Sequence, residues 1–87
     1  MVSKLFEEKA QAVNNLSTTP NTDELLKLYS LYKQATVGDV NIDRPGIFNI
    51  KDRKKWDAWN ELKGTLTQEE AEQKYIEFVD ELIAKYN

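Results

Sequence analysis

The stretch "YSLYKQATVGDVNIDRPG", residues 29–46, decides how the chain must be organised. Tyr29, Tyr32 and Lys33 stand at i, i+3 and i+4, so a helix would carry two phenols and an ammonium group on one face. Gly38 then takes the place where a left-handed backbone closes a helix, a conformation that costs glycine little because it has no Cβ. Beyond it, residues 39–48 carry Val40, Ile42, Ile47 and Phe48 around a Pro45-Gly46 pair. A flexible linker would lack such side chains, so the pattern predicts an ordered loop anchored by them. One helix and one long ordered connection follow from this stretch and the two residues after it.

Outward from it, the upstream "NTDEL" supplies the start of that helix, with Asn21 capping and Glu24 reaching back as in a capping box. Leu25, Leu28, Tyr32 and Ala35 form one stripe, and Tyr29, Tyr32, Lys33 and Thr36 an adjacent one. Further upstream, Phe6, Ala10, Val13 and Leu16 share a helical face behind a Ser3 cap, and "STTP", ending at Pro20, breaks the pattern. Downstream, a helix is predicted from Asn49 to Lys63, ended by Gly64. It has Trp56, Trp59 and Leu62 on one side and Lys51, Lys55 and Trp59 at i, i+4 and i+8. A last helix begins at Thr67 with Glu70 completing a second capping box. Its wide apolar face comprises Ala71, Tyr75, Phe78, Val79, Leu82, Ile83 and Tyr86. No strand pattern or internal repeat competes. The expectation is an all-α chain, a four-helix bundle in one domain spanning residues 1–87, with its long connection between the second and third helices.

Composition narrows the chemistry. The 87 residues are 40% apolar and 31% charged, the balance of a small globular domain. With no cysteine and no histidine, disulfides, thiolate or imidazole metal sites and imidazole bases are excluded. The net charge of −3 argues against a dedicated nucleic-acid binder. No signal peptide or membrane span is expected, and the expected compartment is the cytoplasm. Charge is nevertheless uneven: residues 51–55 hold four cations and one acid, whereas residues 67–87 hold six acids and two lysines. An acidic molecule with one compact basic end suits a small anionic ligand better than a long polyanion.

No catalytic constellation is present: there is no glycine-rich phosphate loop and no base to activate a serine. Glu69 and Glu70 read as acids complementing a helix dipole. The tyrosine-lysine face has a bland reading, rings at the edge of the core with hydroxyls and ammonium in water. "KDRKKW", residues 51–56, has one too, a solvated helix start. Yet cations at a helix N-terminus are electrostatically unfavourable, and a bound phosphate would account for them. Together the two features could stack a base and clamp phosphates, provided the two helices converge, which spacing alone does not establish. A module docking its basic end on an acidic protein or on RNA is the alternative of a different class.

"YSLYKQATVGD", then "RPG" at 44–46 and "KKWDAWNELKG" at 54–64, resemble the acyl-CoA-binding protein family. "LFEEKAQAVNNL" at 5–16 and "YIEFVDELIAKY" at 75–86 extend the similarity to the outer helices. The resemblance implies an up-down-down-up four-helix bundle. It also implies a non-catalytic intracellular carrier and pool former for medium- and long-chain acyl-CoA esters, in lipid transport and fatty acid metabolism. It implies acyl-CoA as the ligand, no cofactor, no metal, a monomer, and at most transient contact with membranes or enzymes on delivery. Position by position, Tyr29, Tyr32 and Lys33 fall on the family's ligand face, and Lys55 matches the lysine that holds the 3′-phosphate of the CoA head. Lys51 matches a second basic position, and Tyr75 the tyrosine that closes the site from the last helix. Ser30 and Leu31 lie within the same binding run, and Leu25 and Ala10 at positions near the acyl chain. Asn14 stands where many members carry a lysine or arginine.

Overall fold

Local capping sets where three of the four helices begin. The computed structural model describes residues 2–86 and consists of α1 (Lys4–Val13), α2 (Thr22–Thr36), α3 (Ile50–Asn60) and α4 (Gln68–Tyr86), with no strand among the described residues. The Phe6 N–H donates to Ser3 Oγ at the head of α1. At α2 the Glu24 N–H donates to Asn21 Oδ1 while the Asn21 N–H donates to Glu24 Oε1, so two otherwise orphaned donors are satisfied. Thr67 and Glu70 repeat the same exchange ahead of α4. Asn49 makes no side-chain cap, so α3 starts without one. That helix is also shorter than the periodicity suggests: it ends at Asn60, and the Leu62, Lys63 and Thr65 N–H groups make i→i−3 bonds around Gly64, which turns at φ +75°. Gly38, at φ +97°, closes α2 with its N–H donating to the carbonyls of Lys33 and Gln34.

Side-chain pairs give the direction of every helix. The Ser3 N–H donates to Glu72, the Phe6 and Tyr75 rings meet at 4.8 Å, and Lys9 pairs with Asp80. Numbers rise together in these pairs, so α1 and α4 run parallel. Between α2 and α4 they run in opposite senses: Glu24 meets Lys85, Lys27 Nζ lies 4.3 Å from the Phe78 ring centre, and Gln34 donates to the Leu66 carbonyl. Across α2 and α3, Lys55 lies over Tyr29 and Lys33 over Trp59, so these two helices are parallel. The bundle is therefore up-down-down-up. The apolar faces meet in a core of Phe6, Leu28, Leu31, Ala35, Ala71, Tyr75, Ile76, Val79 and Leu82.

Two consecutive parallel helices need a connection that travels back the length of a helix, which is the task of residues 37–49. Its anchoring differs from the sequence expectation. Ile42, Ile47 and Phe48 are exposed rather than buried. The loop is held instead by polar bonds from α3. The Trp59 indole N–H donates to the Gly38 carbonyl and that of Trp56 to the Ile42 carbonyl, both at 2.8 Å. Arg44 grips Asp57 with two parallel bonds of 2.9 and 2.8 Å. Asp39 accepts from the Gln34 side-chain amide and the Gly64 N–H, which together hold its carboxyl below the usual range. The indoles reach out from the core and fix the loop's backbone.

Glu24 ties the start of α2 to the end of α4. Hydrogen bonds from Lys85 and then from the Tyr86 hydroxyl hold its carboxyl down to about 2. A carboxyl depressed in the folded state contributes stability at pH values above its unfolded titration, and that contribution is lost as pH falls toward 2. Glu24→Gln is thus expected to lower the thermal midpoint at pH 7, with the gap from the parent closing as both are acidified toward pH 2. Melting curves by circular dichroism across that range check it. A gap that stays constant with pH would show that the carboxylate charge is not what matters.

Candidate functional site

The exposed side of α2 borders two clefts that share one wall. The first, about 240 Å³, is lined by Val13 at the end of α1, by Asn14 and Pro20 of the α1–α2 connection, by Leu25, Leu28, Tyr29 and Tyr32 of α2, and by Tyr75 of α4. The second, about 380 Å³, lies between the start of α2 and the start of α3, lined by Thr22, Leu25, Leu26, Lys51, Lys54 and Lys55. Leu25 belongs to both. At the same boundary Lys55 Nζ stands 5.4 Å from the centre of the Tyr29 ring, within range of a cation–π contact. An aromatic hollow and a basic hollow therefore adjoin, and the parallel course of α2 and α3 makes them do so. Had α3 run the other way, its basic start would lie at the far end of α2.

The aromatic floor is assembled from three helices. Phe6 of α1 stacks on Tyr32 at 5.5 Å and meets Tyr75 at 4.8 Å, and Tyr32 and Tyr75 make an edge contact at 5.9 Å. Phe6 and Tyr75 are buried, whereas Tyr32 remains 41% exposed. Burial, and after it the neighbouring Tyr32, pushes the Tyr75 hydroxyl up to about 12. Burial and then the Asp52 carboxylate raise that of Tyr29 as well. Both phenols are neutral hydrogen-bond donors at physiological pH, suited to anionic oxygens.

The sequence-predicted residues divide as follows. Tyr29, Tyr32, Tyr75 and Leu25 line the aromatic cleft, and Leu25, Lys51 and Lys55 line the basic one. Lys33 stands one turn further along the Tyr29 face, its ammonium 5.1 Å from the Trp59 ring centre, in the seam between α2 and α3. Leu31 is buried in the core, and Ala10 packs against that core from α1. Ser30 is buried too, its hydroxyl donating to the Lys27 carbonyl. It borders a different hollow, on the side of Lys27, Asp57 and Glu61. Neither Ser30, Leu31 nor Ala10 reaches either of the two adjoining clefts. Sequence reasoning missed Val13 and Pro20 as walls, because one read as ordinary core stripe and the other as a helix breaker. Lys54 was visible only as one cation in a run.

The basic start of α3 is at odds with its own helix. Lys51, Arg53, Lys54 and Lys55 occupy the first two turns, where the dipole is positive, and no cap offsets them. An anion held there would relieve both defects, to which Asp52 is the one acidic offset in the first turn. Among the described residues no group of three His, Cys, Asp or Glu side chains could hold a metal ion, and no helix is long and apolar enough to cross a membrane.

Comparison with known proteins gives one answer throughout. Residues 3–79 match the family described as "Acyl CoA binding protein". The acyl-CoA-binding protein of Saccharomyces cerevisiae is 68% identical over 87 residues, covering 100% of this chain and 99% of that protein. The acyl-CoA-binding protein homolog 1 of Caenorhabditis elegans is 52% identical over 93% of each chain. The crystal structure of Oryza sativa acyl-CoA-binding protein 2 superposes with a TM-score of 0.89 at 49% identity, covering 94% of this chain and 90% of the other. Matched by the family over residues 3–79 and by the yeast protein along all 87 residues, the chain belongs to the acyl-CoA-binding protein family.

Proposed function

We propose that residues 1–87 form a single domain that binds medium- and long-chain acyl-CoA esters, one per molecule, and acts as a non-catalytic, monomeric carrier and pool former for them in the cytoplasm. The observation that carries the reading is the meeting of the aromatic and basic clefts at Leu25 and at the Tyr29–Lys55 contact. In this reading Tyr29 and Tyr32 offer ring faces to the adenine, and Lys51 and Lys55 draw in the phosphates. Lys33 adds charge one turn away, and Tyr75 closes the floor. Leu25, Leu28, Val13 and Pro20 line the route of the acyl chain. Stacking on an aromatic ring contributes about 1–3 kcal/mol per base, and charge-assisted bonds to phosphate are about twice as strong as neutral ones.

Calorimetric titration with palmitoyl-CoA is expected to saturate at one ligand per chain. Tyr29→Ala should weaken it by about 1–3 kcal/mol, roughly 5- to 150-fold. Lys33→Ala and Lys55→Ala should weaken it further than a surface lysine such as Lys63→Ala. Incubation with palmitoyl-CoA should release no free CoA above background. A steep loss of binding to a long polyanion with rising salt, without preference for the acyl ester, would move the protein to the interaction-module class.

A further inference from the structure

The most exposed large hydrophobic side chains among the described residues lie along the α2–α3 connection as it enters α3. Phe48 is 93% exposed, Ile47 66%, Ile50 64% and Ile42 58%. The geometry of this tip is built rather than frayed. The Asn49 N–H donates to the Gly46 carbonyl at 3.0 Å, closing a turn that places Ile47 and Phe48 at its two central positions. Those positions ordinarily hold Gly, Asn, Asp or Ser. Ile42 is fixed beside α3 by the bond from Trp56 to its carbonyl. A turn that presents an aromatic and an aliphatic side chain to water gains nothing for the fold by doing so, and contiguous exposed apolar groups mark interaction sites.

What surrounds the tip identifies the partner. Immediately after Ile50 come Lys51, Arg53, Lys54 and Lys55 with Asp52 the one acid among them, in a chain whose net charge is −3. A widely open hollow of about 410 Å³, lined by Phe48, Asn49, Ile50, Lys51 and Asp52, borders the tip. An apolar apex with a collar of lysines matches a surface that is oily within and anionic at its face. Side chains such as Phe and Ile enter the boundary between headgroups and acyl chains while ammonium groups meet the phosphates. Each lysine held near an anionic leaflet strengthens binding about fivefold.

We propose that residues 42–50 dock the protein on the surface of an anionic lipid bilayer, with Ile47 and Phe48 entering the interface and Lys51, Lys54 and Lys55 against lipid phosphates. Docking itself does not depend on the ligand reading. That it sets the mouth of the basic cleft against the lipid, because Lys51, Lys54 and Lys55 line both, rests on that reading.

The test is co-sedimentation of the full chain with vesicles of phosphatidylcholine alone and of phosphatidylcholine containing phosphatidylglycerol, with palmitoyl-CoA calorimetry run on the same preparations. Binding is expected to the anionic vesicles and to fall as salt is raised. The double substitution Ile47→Ser/Phe48→Ser should weaken it roughly tenfold or more while leaving palmitoyl-CoA affinity unchanged. Lys54→Glu should weaken vesicle binding with Ile47 and Phe48 intact. Equal binding to neutral and anionic vesicles, or a double variant that sediments like the parent, overturns the proposal. So does absence of vesicle binding, which would assign the tip to a protein partner. Loss of palmitoyl-CoA titration with vesicle binding intact would count against the ligand reading alone.

Discussion

Trp59→Ala is expected to destabilise the protein by about 3–5 kcal/mol and to lower its melting temperature by about 15–30 °C. Trp59 is 1% exposed and is the largest fully buried side chain among those described. Truncation removes that packing and leaves a cavity between α2 and α3. It also deletes the N–H that donates to the Gly38 carbonyl, at the point where α2 ends and the long connection begins. A domain of this size has a total stability of roughly 5–10 kcal/mol, so one substitution would remove about half of it. Trp56→Ala offers the comparison within the same helix. Trp56 also donates to the loop, through the Ile42 carbonyl, but is only half-buried and should cost about 1–2 kcal/mol. Trp59→Phe, which keeps most of the ring volume but not the N–H, should fall between the parent and Trp59→Ala. Urea unfolding followed by far-ultraviolet circular dichroism measures all three, with an unchanged slope showing that stability alone has moved. Equal midpoints for Trp56→Ala and Trp59→Ala would mean that the α2–α3 seam is not where the stability resides.

The ends of the helices were legible because capping is local. Ser3, the Asn21–Glu24 pair and the Thr67–Glu70 pair satisfy donors within three residues of themselves, and all three work in the structure as their spacing suggests. Directions are a different matter. Periodicity reports which face of a helix is apolar, not which way the neighbouring helix runs, so residue spacing alone left the convergence of Tyr29 with Lys55 open. That convergence depends on α2 and α3 being parallel, a property of the whole chain that the family resemblance supplied. The loop misled for a physical reason. Ile42, Ile47 and Phe48 looked like anchors because apolar side chains usually seek burial, yet the bonds that fix the loop come from Trp56, Asp57 and Trp59. No pattern in a sequence shows where an indole N–H will point. Ser30 and Leu31 were drawn into the candidate site by adjacency to Tyr29 and Tyr32, but neighbours on a helix point about 100° apart, and these two point into the protein.

Removing the acyl chain from the ligand is expected to have the largest effect on binding. Each methylene taken from water contributes about 0.8 kcal/mol, so a chain of about sixteen carbons carries roughly 10 kcal/mol gross. The clefts beside α2 are open on one side, and Leu25, a wall of both, is itself 45% exposed. A chain lying there keeps part of its surface in water. With about half of it buried, palmitoyl-CoA should bind more tightly than free CoA by roughly 5 kcal/mol, over a thousandfold. Calorimetry with esters of increasing length should show affinity climbing in steps and then levelling once the chain outruns the apolar wall. The heat-capacity change should become more negative in parallel, because apolar burial on binding carries that signature. Leu25→Ser should flatten the slope with length while leaving free CoA binding nearly intact, since the leucine touches both hollows but bears no charge for the phosphates. Tyr29→Ala should do the reverse, lowering the whole series by a similar amount at every length. Equal affinity for free CoA and its long-chain esters would defeat this division, leaving the aromatic and cationic groups as a nucleotide site with no use for the oily cleft beside it.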